Sequence, residues 1–175
     1  MGKSFSSIAL CLSLLLPGGI LAQGVVTTHT RQANSAVRER LDFSDRRDFE
    51  DATRGFIATV DAPAILNEDG SVSYTLQGWD FLKGEAPATA NPSLWRQCQL
   101  NRIHGLFEVV PGKIYQVRGF DLANMTFVRS DNGWVIIDVL TAEAPVRAGY
   151  ELVRKHVGDL PVKAVVLTHP HADHY

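Results

Sequence analysis

Cysteine is nearly absent from this sequence, since Cys11 and Cys98 are the two cysteines among 175 residues. Cys11 lies in an apolar N-terminal stretch that we predict to be removed, so the mature chain would keep one cysteine and could form no internal disulfide. Cys98 falls on a predicted helix, where we expect a small buried apolar residue rather than a reactive thiol.

Blocks of basic residues are also missing. Lysine and arginine together number 17, aspartate and glutamate 19, and the formal net charge is −2. No run of basic residues could follow a phosphate backbone, which argues against a nucleic-acid partner. The chain has no internal repeat or low-complexity tract, and its 45% hydrophobic and 21% charged residues are typical of a globular protein.

The N-terminus differs in composition from the rest of the chain. Lys3 precedes an apolar stretch over residues 8–16, and a Pro-Gly-Gly break is followed by Ile20 and Leu21 and then by the small residue Ala22. This order is typical of a secretory signal peptide over residues 1–22, and the apolar stretch is too short to span a bilayer comfortably. We therefore predict a secreted or periplasmic protein with no membrane span after cleavage, and a retained N-terminal anchor is the alternative.

Residues 23–55 are polar, and we expect them to be partly helical, with a short helix capped by Ser44 and closed by Gly55. Two further helices are predicted, one capped by Ser93 and one from Pro145 to about Gly158.

Short strands and turns dominate from residue 56 onward. Turn residues between apolar runs predict three hairpins, at residues 69–70, 111–112 and 131–133. The segment "VKAVVLT" at residues 162–168 is apolar enough to predict a buried strand. The pattern indicates an α/β fold with a mixed β-sheet and flanking helices in residues 56–175.

The last seven residues hold four metal-binding side chains: His169, His171, Asp173 and His174. Side chains alternate along an extended backbone, so the first two histidines can face one ion. The aspartate and the last histidine follow a bend and can reach a second ion. Pro170 favours the extended start because it restricts the residue before it. We also consider Thr168 a candidate for a hydrogen bond to the first ligand.

Imidazoles with one carboxylate and no thiolate favour a reactive zinc site over a structural one. Zinc with an open coordination position lowers the pKa of a bound water to about 7, and a pair of ions can stabilise charge on substrate oxygens. The motif therefore predicts metal-assisted hydrolysis. The alternative to a metal site is a loop whose histidines are simply exposed at the surface.

"THPHADH" resembles the signature of the metallo-β-lactamase fold superfamily. Upstream segments, among them "RGFIATVDAP", "NPSLWRQ" and "GLFEVVPGKIYQVRGFDLANMTFV", are similar to the N-terminal part of the secreted bacterial alkyl sulfatases. Those enzymes hydrolyse sulfate esters of fatty alcohols such as dodecyl sulfate. The similarity extends from about residue 45 to the end of the chain.

The resemblance implies an αββα four-layer sandwich, of which this chain would supply the first part. It implies that His169 and His171 bind one Zn²⁺ and that Asp173 and His174 bind the other, with a catalytic role for Asp173 as well. The family takes two glutamates and a further histidine from sequence beyond residue 175, has a helical dimerisation domain and is expected to be a homodimer. We therefore expect these 175 residues alone to be inactive.

Two other interpretations remain. The same fold could hydrolyse a lactone, thioester or β-lactam, or the loop could belong to a non-catalytic zinc-binding module. His104 and His156 lie on or near predicted helices, and we expect them to be packing or surface residues.

Overall fold

A computed structural model describes residues 25–174 of the chain. The predicted signal peptide and Tyr175 lie outside the described residues. Among the helices of residues 25–174, none combines the length and apolarity that a bilayer crossing requires.

The helices of the described chain are α1 (Thr28–Arg40), α2 (Arg47–Thr53), α3 (Pro92–Asn101) and α4 (Glu143–His156). Two predicted caps were wrong. Arg46, not Ser44, precedes α2, because the Ser44 hydroxyl donates to the neighbouring Asp42 carboxylate instead. Asn91, not Ser93, caps α3: its side chain accepts from two backbone amides, and Pro92 occupies the first helical position.

The strands of the described chain are β1 (Phe56–Ala58), β2 (Ala64–Leu66), β3 (Val72–Thr75), β4 (Gly105–Val110), β5 (Ile114–Arg118), β6 (Met125–Ser130), β7 (Gly133–Ile137) and β8 (Val162–Val166). All three predicted hairpins are confirmed, as β2–β3, β4–β5 and β6–β7. A six-stranded sheet has the order β1-β4-β5-β6-β7-β8, and β2–β3 forms a separate ribbon. Among the strands of residues 25–174, only β7 and β8 pair in parallel, with α4 as their crossover, so the sheet is mixed as expected.

The core lies between the sheet and α4. Trp134 is fully buried, with the rings of Tyr115 and Phe127 meeting it edge-on at centroid distances of 5.9 and 5.8 Å. Gly149 lets α4 approach the sheet, because a Cβ there would lie 2.9 Å from a methyl group of Val117. Alternate residues of β5 to β7 face this core, as the period of two requires.

Two expectations about burial were wrong. The segment after α4 does form strand β8, but each of its residues is exposed. β8 is the last strand of the sheet, so within residues 25–174 it has a neighbouring strand on one side only, and α4 packs mainly against β1, β4 and the β2–β3 ribbon. Cys98 is exposed as well.

β5, β7 and β8 end, and β6 begins, along one edge of the sheet that runs across the strands. The paired residues Val117 and Met125 mark it on β5 and β6, and Ile137 and Val166 mark it on β7 and β8. The β5–β6 loop, residues 119–124, and the segments that follow β7 and β8 therefore leave the sheet at the same edge. This edge positions the histidine motif next to both loops.

Candidate metal centre

The motif His169–His174 follows directly on β8, where the strand pairing has ended. The three imidazoles pack against one another: the ring centroid of His169 lies 4.7 Å from that of His171 and 4.0 Å from that of His174. A backbone hydrogen bond of 3.0 Å from His174 N–H to the His171 carbonyl closes the bend between them. The bend therefore brings the first and last histidines of the motif side by side.

Asp138 anchors the motif from the neighbouring strand. It follows β7 directly, and its Oδ1 accepts the backbone N–H of Thr168 at 2.8 Å. Its Oδ2 accepts the Thr168 hydroxyl at 2.7 Å. Asp138 also has a positive φ of 54°, a conformation that aspartate tolerates better than most residues. The carboxylate thus connects the ends of the two parallel strands.

The same carboxylate lies against the last histidine of the motif. Nδ1 of His174 is 2.9 Å from Asp138 Oδ2, although its N–H does not point at that oxygen well enough for a hydrogen bond. The contact is therefore an electrostatic one. Donation by the backbone of Thr168, more than any other cause, lowers the pKa of Asp138 to about 2, so the group is a carboxylate at neutral pH.

Thr168 makes the hydrogen bond expected from the sequence. Its Oγ1 lies 3.0 Å from Nδ1 of His169 while the same hydroxyl contacts Asp138. With Nδ1 of His169 occupied by Thr168, Nε2 is the nitrogen of that ring left for a ligand. Nε2 of His174 lies 3.4 Å from Asp173 Oδ2. His169 and His174 are therefore each in contact with a neighbouring polar side chain, Thr168 and Asp138 respectively. In protein metal sites, contacts of this kind orient the imidazole ligands.

The donor chemistry of the motif fits a divalent cation, since it consists of imidazole nitrogens and one carboxylate. The positions of these donors do not form a closed site: in residues 25–174, no three histidine, cysteine, aspartate or glutamate side chains could hold an ion together. His169 and His174 meet ring against ring, at an interplanar angle of 45°, rather than nitrogen to nitrogen. The assignment of His169, His171, Asp173 and His174 as metal ligands stays a prediction, as does the catalytic role of Asp173.

A second aspartate holds the β5–β6 loop at this edge. Asp121 Oδ1 accepts the N–H of Ala123 at 2.9 Å, and its Oδ2 accepts the N–H of Thr141 at 2.7 Å. Burial is the main cause that raises the pKa of Asp121, and repulsion from Asp173 adds to it. The bond to Thr141, which follows β7 at the same edge of the sheet as the motif, fixes the position of this loop.

Sequence reasoning missed both of these aspartates. Asp138 had a detectable signal, because it ends the apolar run of β7 and a polar residue at the carboxyl end of a parallel strand commonly lies at a site. Asp121 had none, since it lies in a loop rich in turn residues. His104 is half-buried, with Nδ1 2.7 Å from the Thr59 hydroxyl, which agrees with the expected packing role.

Residues 118–175 match the metallo-beta-lactamase superfamily. An alkyl/aryl-sulfatase of Saccharomyces cerevisiae is 46% identical over 147 residues, which are 83% of this chain and 23% of the yeast protein. A linear primary-alkylsulfatase of a Pseudomonas species is 43% identical over 178 residues, covering 99% of this chain and 26% of the relative.

A solved structure agrees with these relatives. The stereoselective inverting sec-alkylsulfatase Pisa1 from a Pseudomonas species superimposes with a TM-score of 0.77 at 46% identity. The match covers 85% of this chain and 23% of that one. The mixed sheet with flanking helices therefore matches part of the metallo-β-lactamase fold of the alkylsulfatases, and the chain spans about a quarter of the length of the relatives it matches.

Proposed function

This chain carries part of a metallo-β-lactamase superfamily domain and is homologous to alkylsulfatases over about a quarter of their length, and from that premise we propose that it contributes to a metal-dependent alkyl sulfatase. The reaction is hydrolysis of a sulfate ester of a fatty alcohol, such as dodecyl sulfate, to the alcohol and sulfate. We place the activity in a polypeptide of the relatives' length, and the 175 residues alone are inactive.

The observation that carries this proposal is the packing of three imidazoles at the carboxyl end of β8, in a chain 43–46% identical to proteins named alkylsulfatases. In the proposed site His169 and His171 hold one Zn²⁺, and Asp173 and His174 hold a second. Zinc so held supplies Lewis acidity, which lowers the pKa of a water and stabilises negative charge on the sulfate oxygens.

The protein's contribution is orientation and charge. Asp138 bonds the backbone at the start of the motif, Thr168 bonds Nδ1 of His169, and the Asp138 carboxylate lies against Nδ1 of His174. This leaves the outer nitrogen of each ring for a cation. Because Asp138 stays ionised, it stabilises positive charge at the motif and raises the basicity of His174 as a ligand.

The proposal includes export and assembly. Residues 1–22 direct the protein to the periplasm or the exterior, where exogenous alkyl sulfates are accessible, and a longer polypeptide forms a homodimer. N-terminal sequencing of the exported protein tests the first point, since export predicts a start at Gln23. Light scattering of a protein of the relatives' length tests the second.

The decisive experiment is sulfate release from dodecyl sulfate by a protein of the relatives' length that contains these residues. We expect release that a chelator abolishes and that Zn²⁺ restores. His169→Ala and His171→Ala should each lower kcat/KM at least a hundredfold, whereas the exposed His156→Ala should not. Release that ignores the chelator, or activity on a lactone or thioester but on no sulfate ester, would overturn the proposal.

A further inference from the structure

A cavity of about 480 Å³ opens beside the β5–β6 loop. This volume lies in the range of roughly 300–1,000 Å³ that is typical of small-molecule sites. Its walls come from β3, the short 3₁₀ turn Asp80–Leu82, the end of α3 and the β5–β6 loop. Apolar side chains contribute much of this wall: Leu76, Trp79, Leu82, Leu100, Ile103 and Leu122.

The basic residues around this cavity are engaged elsewhere. Arg118 stacks its guanidinium 3.7 Å from the centre of the Phe107 ring, and Arg102 forms a 2.6 Å ion pair with Asp80. The Nε atoms of both arginines are buried without a hydrogen-bond partner, so a ligand in the cavity would not reach them. An apolar ligand therefore suits the cavity better than an anion does.

The cavity lies at the same edge of the sheet as the metal motif. Asp121 lines it and accepts a hydrogen bond from the N–H of Thr141, in the β7–α4 loop at that same edge. Leu122, the next residue, is 87% exposed at the tip of the β5–β6 loop. An exposed leucine that follows a half-buried, hydrogen-bonded aspartate presents an apolar surface on the wall of the cavity.

We propose that this cavity binds the alkyl chain of the sulfate ester and that Leu122 and Trp79 determine the preference for chain length. The inference rests on the proposed function. It places the sulfate at the histidine motif and the hydrocarbon tail along the edge of the sheet toward the cavity.

The dimensions of the sheet suit a long tail. From β5 to β8 the distance is three strand spacings, or about 14 Å. An extended hydrocarbon chain advances about 1.25 Å per carbon–carbon bond, so about eleven bonds cover this distance. Each methylene buried in the cavity strengthens binding about fourfold. The end of a dodecyl chain should therefore reach the cavity, and the tail of a hexyl ester should not.

The first test uses Leu122→Ser and the matched control Leu94→Ser in a protein of the relatives' length. Leu94 is 67% exposed on α3 and does not line the cavity. We expect Leu122→Ser to lower kcat/KM for dodecyl sulfate about fivefold to tenfold, mainly through KM, and to leave hexyl sulfate unchanged. An unchanged dependence on chain length in Leu122→Ser, or an equal loss in Leu94→Ser, would overturn the inference.

The second test measures binding without hydrolysis. Dodecane sulfonate carrying bromine on its terminal carbon should quench the fluorescence of Trp79 when the tail enters the cavity. We expect Trp79→Phe to lose most of this quenching, and equal quenching in parent and variant would refute tail binding there. If the parent protein releases sulfate from no ester, the proposed function fails, and the quenching result alone then decides whether the cavity binds an alkyl chain.

Discussion

The carboxylate of Asp138 holds Thr168 by two hydrogen bonds, one to its backbone N–H at 2.8 Å and one to its hydroxyl at 2.7 Å. The two residues are separated by 30 positions in the sequence. Parallel pairing of β7 with β8 brings them together. This contact connects the core strand β7 to the start of the histidine motif. It therefore fixes the position of the motif relative to the sheet.

The charge of Asp138 can be removed while its backbone conformation is kept. Asparagine tolerates the positive φ at this position, so Asp138→Asn should fold but should orient His174 less well. We expect about tenfold to hundredfold weaker Zn²⁺ binding in a protein of the relatives' length, measured by competition with a chelating dye. The exposed Asp61→Asn is the control, and equal affinity in both variants would contradict the role given to Asp138.

Gly55 should tolerate no side chain. Its φ is +71°, and a Cβ there would collide with the carbonyl oxygen of Glu108 on β4. Gly112 has a similar φ of +68° in the β4–β5 turn but has open space around it. We expect Gly112→Ala to cost about 1–2 kcal/mol of unfolding free energy and Gly55→Ala about 3 kcal/mol or more. Urea denaturation measures both, and equal costs would show that the collision is relieved.

Acid should destabilise the fold through His104. Burial, with a smaller effect of Arg102, lowers the pKa of His104 below its usual 6.5. As the pH falls below 6.5, the unfolded chain gains a proton that the folded chain resists, so stability is full above this pH and decreases below it. Urea midpoints at pH 7.5 and 5.5 should differ less in His104→Gln than in the parent. The exposed His156→Gln should keep the parent's difference, and a loss in both variants would argue for a general effect.

The 175-residue chain by itself should bind Zn²⁺ weakly and release no sulfate. The predicted ligands His169, His171, Asp173 and His174 do not form a closed metal site within residues 25–174, and weak sites are expected when ligands are missing. Equilibrium dialysis against Zn²⁺ measures the affinity, and His169→Ala provides the baseline. Tight stoichiometric binding would instead favour a module that sequesters zinc.

Local chemistry made much of this chain predictable. The glycines of two hairpin turns, Gly70 and Gly112, have the positive φ that such turns require, and the apolar spacing of α4 indicated its packing face. The four donors of the motif were evident too, because their residue types and spacing lie within one short segment. Features of this kind depend on neighbours a few positions apart, which is why the sequence by itself determined them.

Tertiary structure decided the surroundings of the motif. Asp138 meets Thr168 and His174 only because β8 pairs with β7, and Asp121 meets Thr141 only because two loops leave the sheet at one edge. The exposure of β8 was equally unpredictable, since its apolar residues would suit a buried strand and only its place at the end of the sheet leaves it open. These properties depend on contacts between residues distant in the chain, which no local pattern encodes.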